Sequence, residues 1–284
     1  FTALAVQSWA LYAISISLIF SRLIFRRIML GCYKKLQADD WVMMLLLLPY
    51  TASIVLANQV GTSQSAEERK FRYLLEEMQL VTLWLVKACL LVLYCRIFPV
   101  EYSFAQRWTL KGVSAFCCLS FLIVQVSLML WCRPTADYWD MSTSNPQCTS
   151  YHSHTALTLA FDIPNIILIM ILPVPFIPTP RRLLLAVLLI LSTLVLVTGI
   201  VARASILQHS TLPSYLLWYT SESTLSIIFA NLPFLTSFVV TAAPARIRHF
   251  SSQLALPQWP RSTRGSWAYN DATARSSPRT MRFD

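Results

Sequence analysis

Charge is scarce in this sequence. Only 13% of its 284 residues are Asp, Glu, Lys or Arg, against 56% hydrophobic residues, and the mean hydropathy is +0.55. About a quarter of the residues of an ordinary soluble domain are charged, so this balance excludes that class and places the chain in a membrane. No internal repeat is evident, which leaves inverted-repeat transporters without support. No Cys-x-x-Cys or His-Glu-x-x-His pattern occurs, so the common zinc spacings are missing. His152 and His154 lie two apart, but they have no third ligand and no metal is expected. The first apolar run lacks a basic leader and stays apolar too long for a secretory signal; it is expected to be a span.

Long apolar runs are what the sequence does have. A helix needs roughly 20 such residues to cross the hydrocarbon, and runs near 1–21, 42–60, 78–95, 109–131, 155–173, 183–207 and 214–241 predict seven of them. The expected fold is an all-α, seven-transmembrane helix bundle over residues 1–245. Residues 246–284 are rich in Ser, Arg and Pro, a composition that stays disordered, and Ser-Ser-Pro-Arg at 276–279 is a candidate for phosphorylation.

Basic residues set the expected orientation, because short loops rich in Lys and Arg stay in the cytoplasm. Seventeen of the 23 fall in the first, third and fifth connections and the tail, among them Arg22, Arg26, Arg27, Lys111, Arg181 and Arg246. The alternate connections hold Arg69, Lys70, Arg72 and Arg133. The N-terminus is therefore expected outside and the tail in the cytoplasm. The net charge of +10 reads as a topology signal, so no nucleic-acid partner is expected. On this orientation Cys132 and Cys148 share an outer loop, where disulfides persist, and are expected to be bridged; two free thiols are the alternative.

Apart from Lys111, in the first turn of the fourth span, four charges sit inside the expected spans: Lys87 in the third, Asp162 in the fifth, Arg203 in the sixth and Glu222 in the seventh. They sum to zero. A charge at the bilayer centre costs roughly 2.5–3.5 kcal/mol on the insertion scale, so the four should point inward and pair. At about 1.5 Å per residue, all four fall in the outer half, within reach of one shared pocket. Asn165 follows Asp162 by three, Ser226 follows Glu222 by four and Trp218 precedes it by four, which puts each on its charge's helix face. Pro164 removes a backbone donor next to Asp162. The pattern fits an outward-facing polar ligand pocket of Lys87, Asp162, Asn165, Arg203, Trp218 and Glu222. It fits equally an ionic lock that only holds helices together, and Arg203 could instead snorkel to the interface.

Several motifs then form an ordered set: Ala-Asp-Asp-Trp at 38–41, VKACLLVLYCRIF at 86–98, CRPTADYW at 132–139 followed by Cys148, FDIPNIILIMILPVP at 161–175, GIVAR at 199–203, WYTSE at 218–222 and NLPFL at 231–235. In these, over roughly residues 1–245, the chain resembles the fungal rhodopsin-domain family of seven-helix integral membrane proteins. That family includes a membrane protein of the satratoxin biosynthetic cluster and overlaps with fungal orphan receptor candidates. A light-sensing role, which the family name invites, is opposed by the residues. Retinal needs a Schiff-base lysine on the seventh helix, whereas the last lysine is Lys111 and Glu222 occupies that span. No retinal and no other cofactor is expected.

Asp39 and Asp40 open the second span, where carboxylates cap free amides; a contact with Arg246 or Arg248 is the alternative. Arg96 closes the third span, but no acid precedes it, so it reads as positive-inside charge. Pro233 is expected to bend the seventh helix.

The sequence leaves three functions open for this multipass protein of the plasma membrane or an endomembrane. The first is a receptor-like sensor of a small amphipathic ligand with a cytoplasmic signalling partner. The second is a membrane enzyme or accessory factor in fungal secondary-metabolite biosynthesis, although no catalytic residue stands out. The third is an ion or solute transporter.

Overall fold

A computed structural model describes residues 2–30, 37–60, 66–97, 104–133, 135–140, 148, 151–174, 182–208 and 214–242. The tail expected to be disordered lies outside the described residues, with Arg246, Arg248 and the 276–279 segment. Each expected span is a helix: α1 (Thr2–Leu30), α2 (Ala38–Gln59), α3 (Ala66–Ile97), α4 (Phe104–Leu130), α5 (His152–Ile171), α6 (Arg182–Gln208) and α7 (Ser214–Ala242). A 3-10 turn, Thr135–Tyr138, lies between α4 and α5, and no strand occurs among the described residues. Six of the helices are long and apolar enough to cross a membrane on their described residues. The chain is a multipass membrane protein.

Each helix packs on its chain neighbours from α1·α2 round to α6·α7, and α1 closes the ring on α7. In addition α3 meets α7 and α5 across the middle, so the stretch of α3 that crosses the bundle is largely buried, whereas α1 and α4 lie at the periphery. Lipid is as apolar as leucine, so helices in it associate through close packing and polar contacts. Tyr50 of α2 shows the pattern: its hydroxyl lies 3.0 Å from Ser15 of α1 and 3.0 Å from Thr224 of α7. Gln7 of α1 likewise donates to Ser221 of α7 at 3.0 Å.

Two helices outrun their apolar stretches. α3 begins at Ala66 rather than near 78, and α1 continues to Leu30 rather than ending near 21. In the added part of α3, Ala, Glu, Arg and Leu are strong helix formers, and Glu67 and Glu68 sit in the first turn, where they complement the dipole. Hydropathy falls there while helicity does not. These extensions bring Arg22, Arg26, Arg72 and Glu76 into the bundle.

The Cys132–Cys148 disulfide is formed. It belongs to a small cluster with Leu128, Tyr138 and Tyr151, in which the Tyr138 and Tyr151 rings stack at 5.3 Å and the Tyr138 hydroxyl donates to the Leu128 carbonyl at 2.6 Å. Burial raises the Tyr138 phenol to about 12, with Tyr73 adding to the shift. Tyr151, directly before α5, holds the left-handed backbone conformation at φ 54°, uncommon for a residue other than glycine.

Candidate functional site

The four intramembrane charges meet. Lys87 of α3 donates to Asp162 of α5, and its ammonium lies 3.8 Å from the centre of the Trp84 ring, a cation–π contact. Arg203 of α6 donates through Nη1 to both oxygens of Glu222 on α7, at 2.8 and 2.6 Å, while its Nη2 stands 4.0 Å from Asp162 Oδ2. Asp162 thus faces two cations and Arg203 two acids, and the chain of contacts ties α3, α5, α6 and α7 together. All four residues are at most 5% exposed. Arg203 does not snorkel, because two carboxylates hold it inside.

Gly199 makes this approach possible. It sits one helical turn before Arg203, and a Cβ there would lie 2.8 Å from Glu222 Oε1 and 3.7 Å from Asp162 Oδ2. The first distance is shorter than van der Waals contact allows, so the absent side chain is the space the Glu222 carboxylate occupies.

The other expected pocket residues divide. Asn165 is buried and donates to Ser120 of α4 at 2.8 Å and to the Phe161 carbonyl. Ser120 also accepts a 3.3 Å bond from the Trp84 indole, so Asn165 supports the Trp84 wall beside Lys87. Ser226 lines a cavity with Glu222. Trp218 is 41% exposed and lines neither cavity described below: a four-residue step keeps it near Glu222's face, but its long side chain leaves the bundle.

Among the described residues, the four charges line no open polar cleft. The acids and cations contact one another directly, and among the described residues two small cavities flank them, with Glu76, Gln79 and Tyr219 at the second. One, of about 30 Å³, extends from the charges toward the C-terminal ends of α3, α5 and α7. Its walls are mainly apolar, with Leu90, Ile166, Val195 and Phe229 among them. A drug-sized ligand fills about 300–1,000 Å³, far more than this space.

A second ionic cluster lies near the other end of the bundle. Arg22 of α1 reaches Asp39 at 2.9 Å, Asp40 at 3.3 Å and, through Nη1, Asn231 of α7 at 3.4 Å. Arg26 reaches Asp40 at 3.0 Å and Asp39 at 3.8 Å. Asp40 also accepts the Gln37 backbone amide at 3.2 Å, so it caps α2 as expected, but its principal partners are the two arginines of α1. The signal in the sequence was the four-residue spacing of Arg22 and Arg26, which puts both on one helix face, next to a pair of acids. Helix α7 therefore carries Glu222 in one cluster and Asn231 at the edge of the other.

A family model described as the fungal rhodopsin domain matches residues 21–241. The chain belongs to that family. No curated protein and no solved structure matches it.

Proposed function

We propose that this member of the fungal rhodopsin-domain family is a receptor-like sensor whose switch is the Lys87–Asp162–Arg203–Glu222 cluster and whose stimulus is a small amphipathic molecule. The observation that carries the reading is the sharing of Arg203 between Asp162 and Glu222. A guanidinium poised between carboxylates on two helices has two arrangements available, and a ligand group that binds either acid or the cation favours one of them. A conformational change follows only from such differential affinity.

The small cavity fits this role. A ligand with an apolar body and a polar head finds apolar walls on one side and the charges on the other, but it enters only if the helices separate. Binding is thereby coupled to helix movement. Because α7 holds Glu222 at the site and Asn231 beside Arg22, its displacement reaches the second cluster. On the orientation drawn from the basic residues, the four charges lie in the outer half of the bilayer and the second cluster near the cytoplasm, where a signalling partner would be engaged.

The test uses purified protein in lipid nanodiscs, titrated with fractions of a lipophilic extract of fungal cultures. A fraction that raises the melting temperature of the wild type and loses that effect in the Lys87→Met/Asp162→Asn double variant, which keeps the cluster neutral, is the expected result. Equal stabilisation of both proteins, or none by any fraction, contradicts the proposal.

A further inference from the structure

On the opposite side of the four charges from the apolar cavity lies a second one of about 10 Å³, whose lining includes Glu76, Gln79, His154, Thr158, Arg203 and Tyr219. Much of its polar capacity is used. Tyr219 donates to Glu76 Oε2 at 2.6 Å. Gln79 donates to the Tyr219 carbonyl at 3.2 Å and accepts from Ser223 at 2.7 Å, and the Thr158 hydroxyl donates to the His154 carbonyl at 2.9 Å.

Among the described residues, a defined remainder has no hydrogen-bond partner of ordinary geometry: Glu76 Oε1, Arg203 Nε and both ring nitrogens of His154. The His154 ring faces the Val124 carbonyl without a hydrogen bond of ordinary geometry. Glu76, His154 and Arg203 are each at most 6% exposed, and buried polar groups of this kind are paired in folded proteins. The remainder consists of an acceptor on Glu76, a donor on Arg203 and a histidine, which when neutral offers one of each.

We infer that this chamber is a binding site for a single water molecule, held by Arg203 Nε, Glu76 Oε1 and His154. Its occupant must accept from the guanidinium and donate to the carboxylate, which a hydroxyl group does. An anion would face Glu76 and a cation would face Arg203, so a neutral group is selected. The volume holds about one water, and three polar partners are what a buried water typically has. With the water in place, Glu76 and Tyr219 join the four charges in one network of hydrogen bonds and ion pairs from α3 through α6 to α7 and α5. A polar ligand group that reaches this chamber has to replace that water in kind.

Hydroxyl-radical footprinting of the full chain in nanodiscs tests the inference, because radicals generated from bound water modify the side chains around it. Tyr219 and Tyr50 form a matched pair: both are at most 3% exposed, but Tyr50 is enclosed by Ser15 and Thr224. Tyr219 is expected to be modified several-fold faster than Tyr50. Thr158→Leu, which fills the chamber with an apolar side chain, is expected to bring the Tyr219 rate down to that of Tyr50. Equal rates for the two tyrosines in the wild type mean a dry chamber and overturn the inference. A Tyr219 rate unchanged by Thr158→Leu overturns it as well. Should that variant fail to fold, the wild-type comparison decides alone.

Discussion

Arg203 and Glu222 are joined by a two-pronged contact through one guanidinium nitrogen, at 2.6 and 2.8 Å, and both side chains are almost wholly buried. Removing Arg203 leaves Glu222 charged without its cation, and removing Glu222 leaves Arg203 only the Asp162 that Lys87 already holds. Truncating half of a buried pair costs about 3–5 kcal/mol, while replacing both partners by apolar groups is often neutral. Arg203→Leu and Glu222→Leu are each expected to destabilise the protein by that amount. The double variant should recover most of the loss, as measured by thermal or denaturant unfolding in a mild detergent.

Gly199 gives a steric version of the same test. Gly199→Ala places a methyl 2.8 Å from Glu222 Oε1, and overpacking of this kind costs about 1–3 kcal/mol. Glu222→Asp shortens the acid by one methylene and should rescue Gly199→Ala partly, although it weakens the wild type. Unfolding of the four proteins of this cycle measures the coupling, which is expected to be favourable.

Asp40 caps α2 and also pairs with Arg22 and Arg26. Loss of a cap alone costs about 1 kcal/mol, whereas loss of a buried acid facing two cations belongs in the range of about 3–5 kcal/mol. Asp40→Ser keeps a capping oxygen without the charge, so it should lose nearly as much as Asp40→Ala. Equal stability of Asp40→Ser and the wild type would assign the residue to capping.

The disulfide closes a loop with a sequence separation of 16, for which the chain-entropy relation gives about 3 kcal/mol. Cys132→Ser/Cys148→Ser should lower the melting temperature while leaving the Lys87 and Arg203 contacts in place, since its cluster lies beyond them. Comparing intact masses after alkylation, with and without reductant, verifies the bridge itself.

Tyr138 supplies a pH dependence in the same loop. Its folded value is raised to about 12 by burial from an unfolded value near 10, so the folded state favours the neutral phenol. That contribution is complete below about pH 10 and is lost as pH climbs toward about 12. Alkaline unfolding should begin in this window, and Tyr138→Phe should reduce its steepness, read by near-ultraviolet absorbance at the tyrosinate band.

The helix number and the pairing of the four charges were legible because a lone charge in an apolar run has few stable solutions. Lys87 and Arg203 had to find acids, and Asp162 and Glu222 were the ones available at matching depth. Glu76, Arg22 and Arg26 are not legible as buried groups because the apolar runs end where hydropathy falls, whereas helix propensity carries α1 and α3 further. Gly199 was part of a recognised motif, but its role depends on the distance to a helix that follows it in sequence. Trp218 shows the limit of spacing arguments: helical periodicity fixes the direction of a Cβ within one turn, and packing decides where an indole goes from there.

The most direct test asks whether the cluster controls helix positions. Spin labels are placed at Ile28 on α1 and Ile190 on α6, both exposed, with the five cysteines outside the disulfide replaced. Pulsed electron resonance then gives their distance distribution in nanodiscs. Glu222→Gln releases α7 from Arg203, and a second, shifted distance population absent from the wild type is expected. Superimposable distributions for the two folded proteins would show that the charges only hold the bundle together, and the sensing mechanism would be wrong.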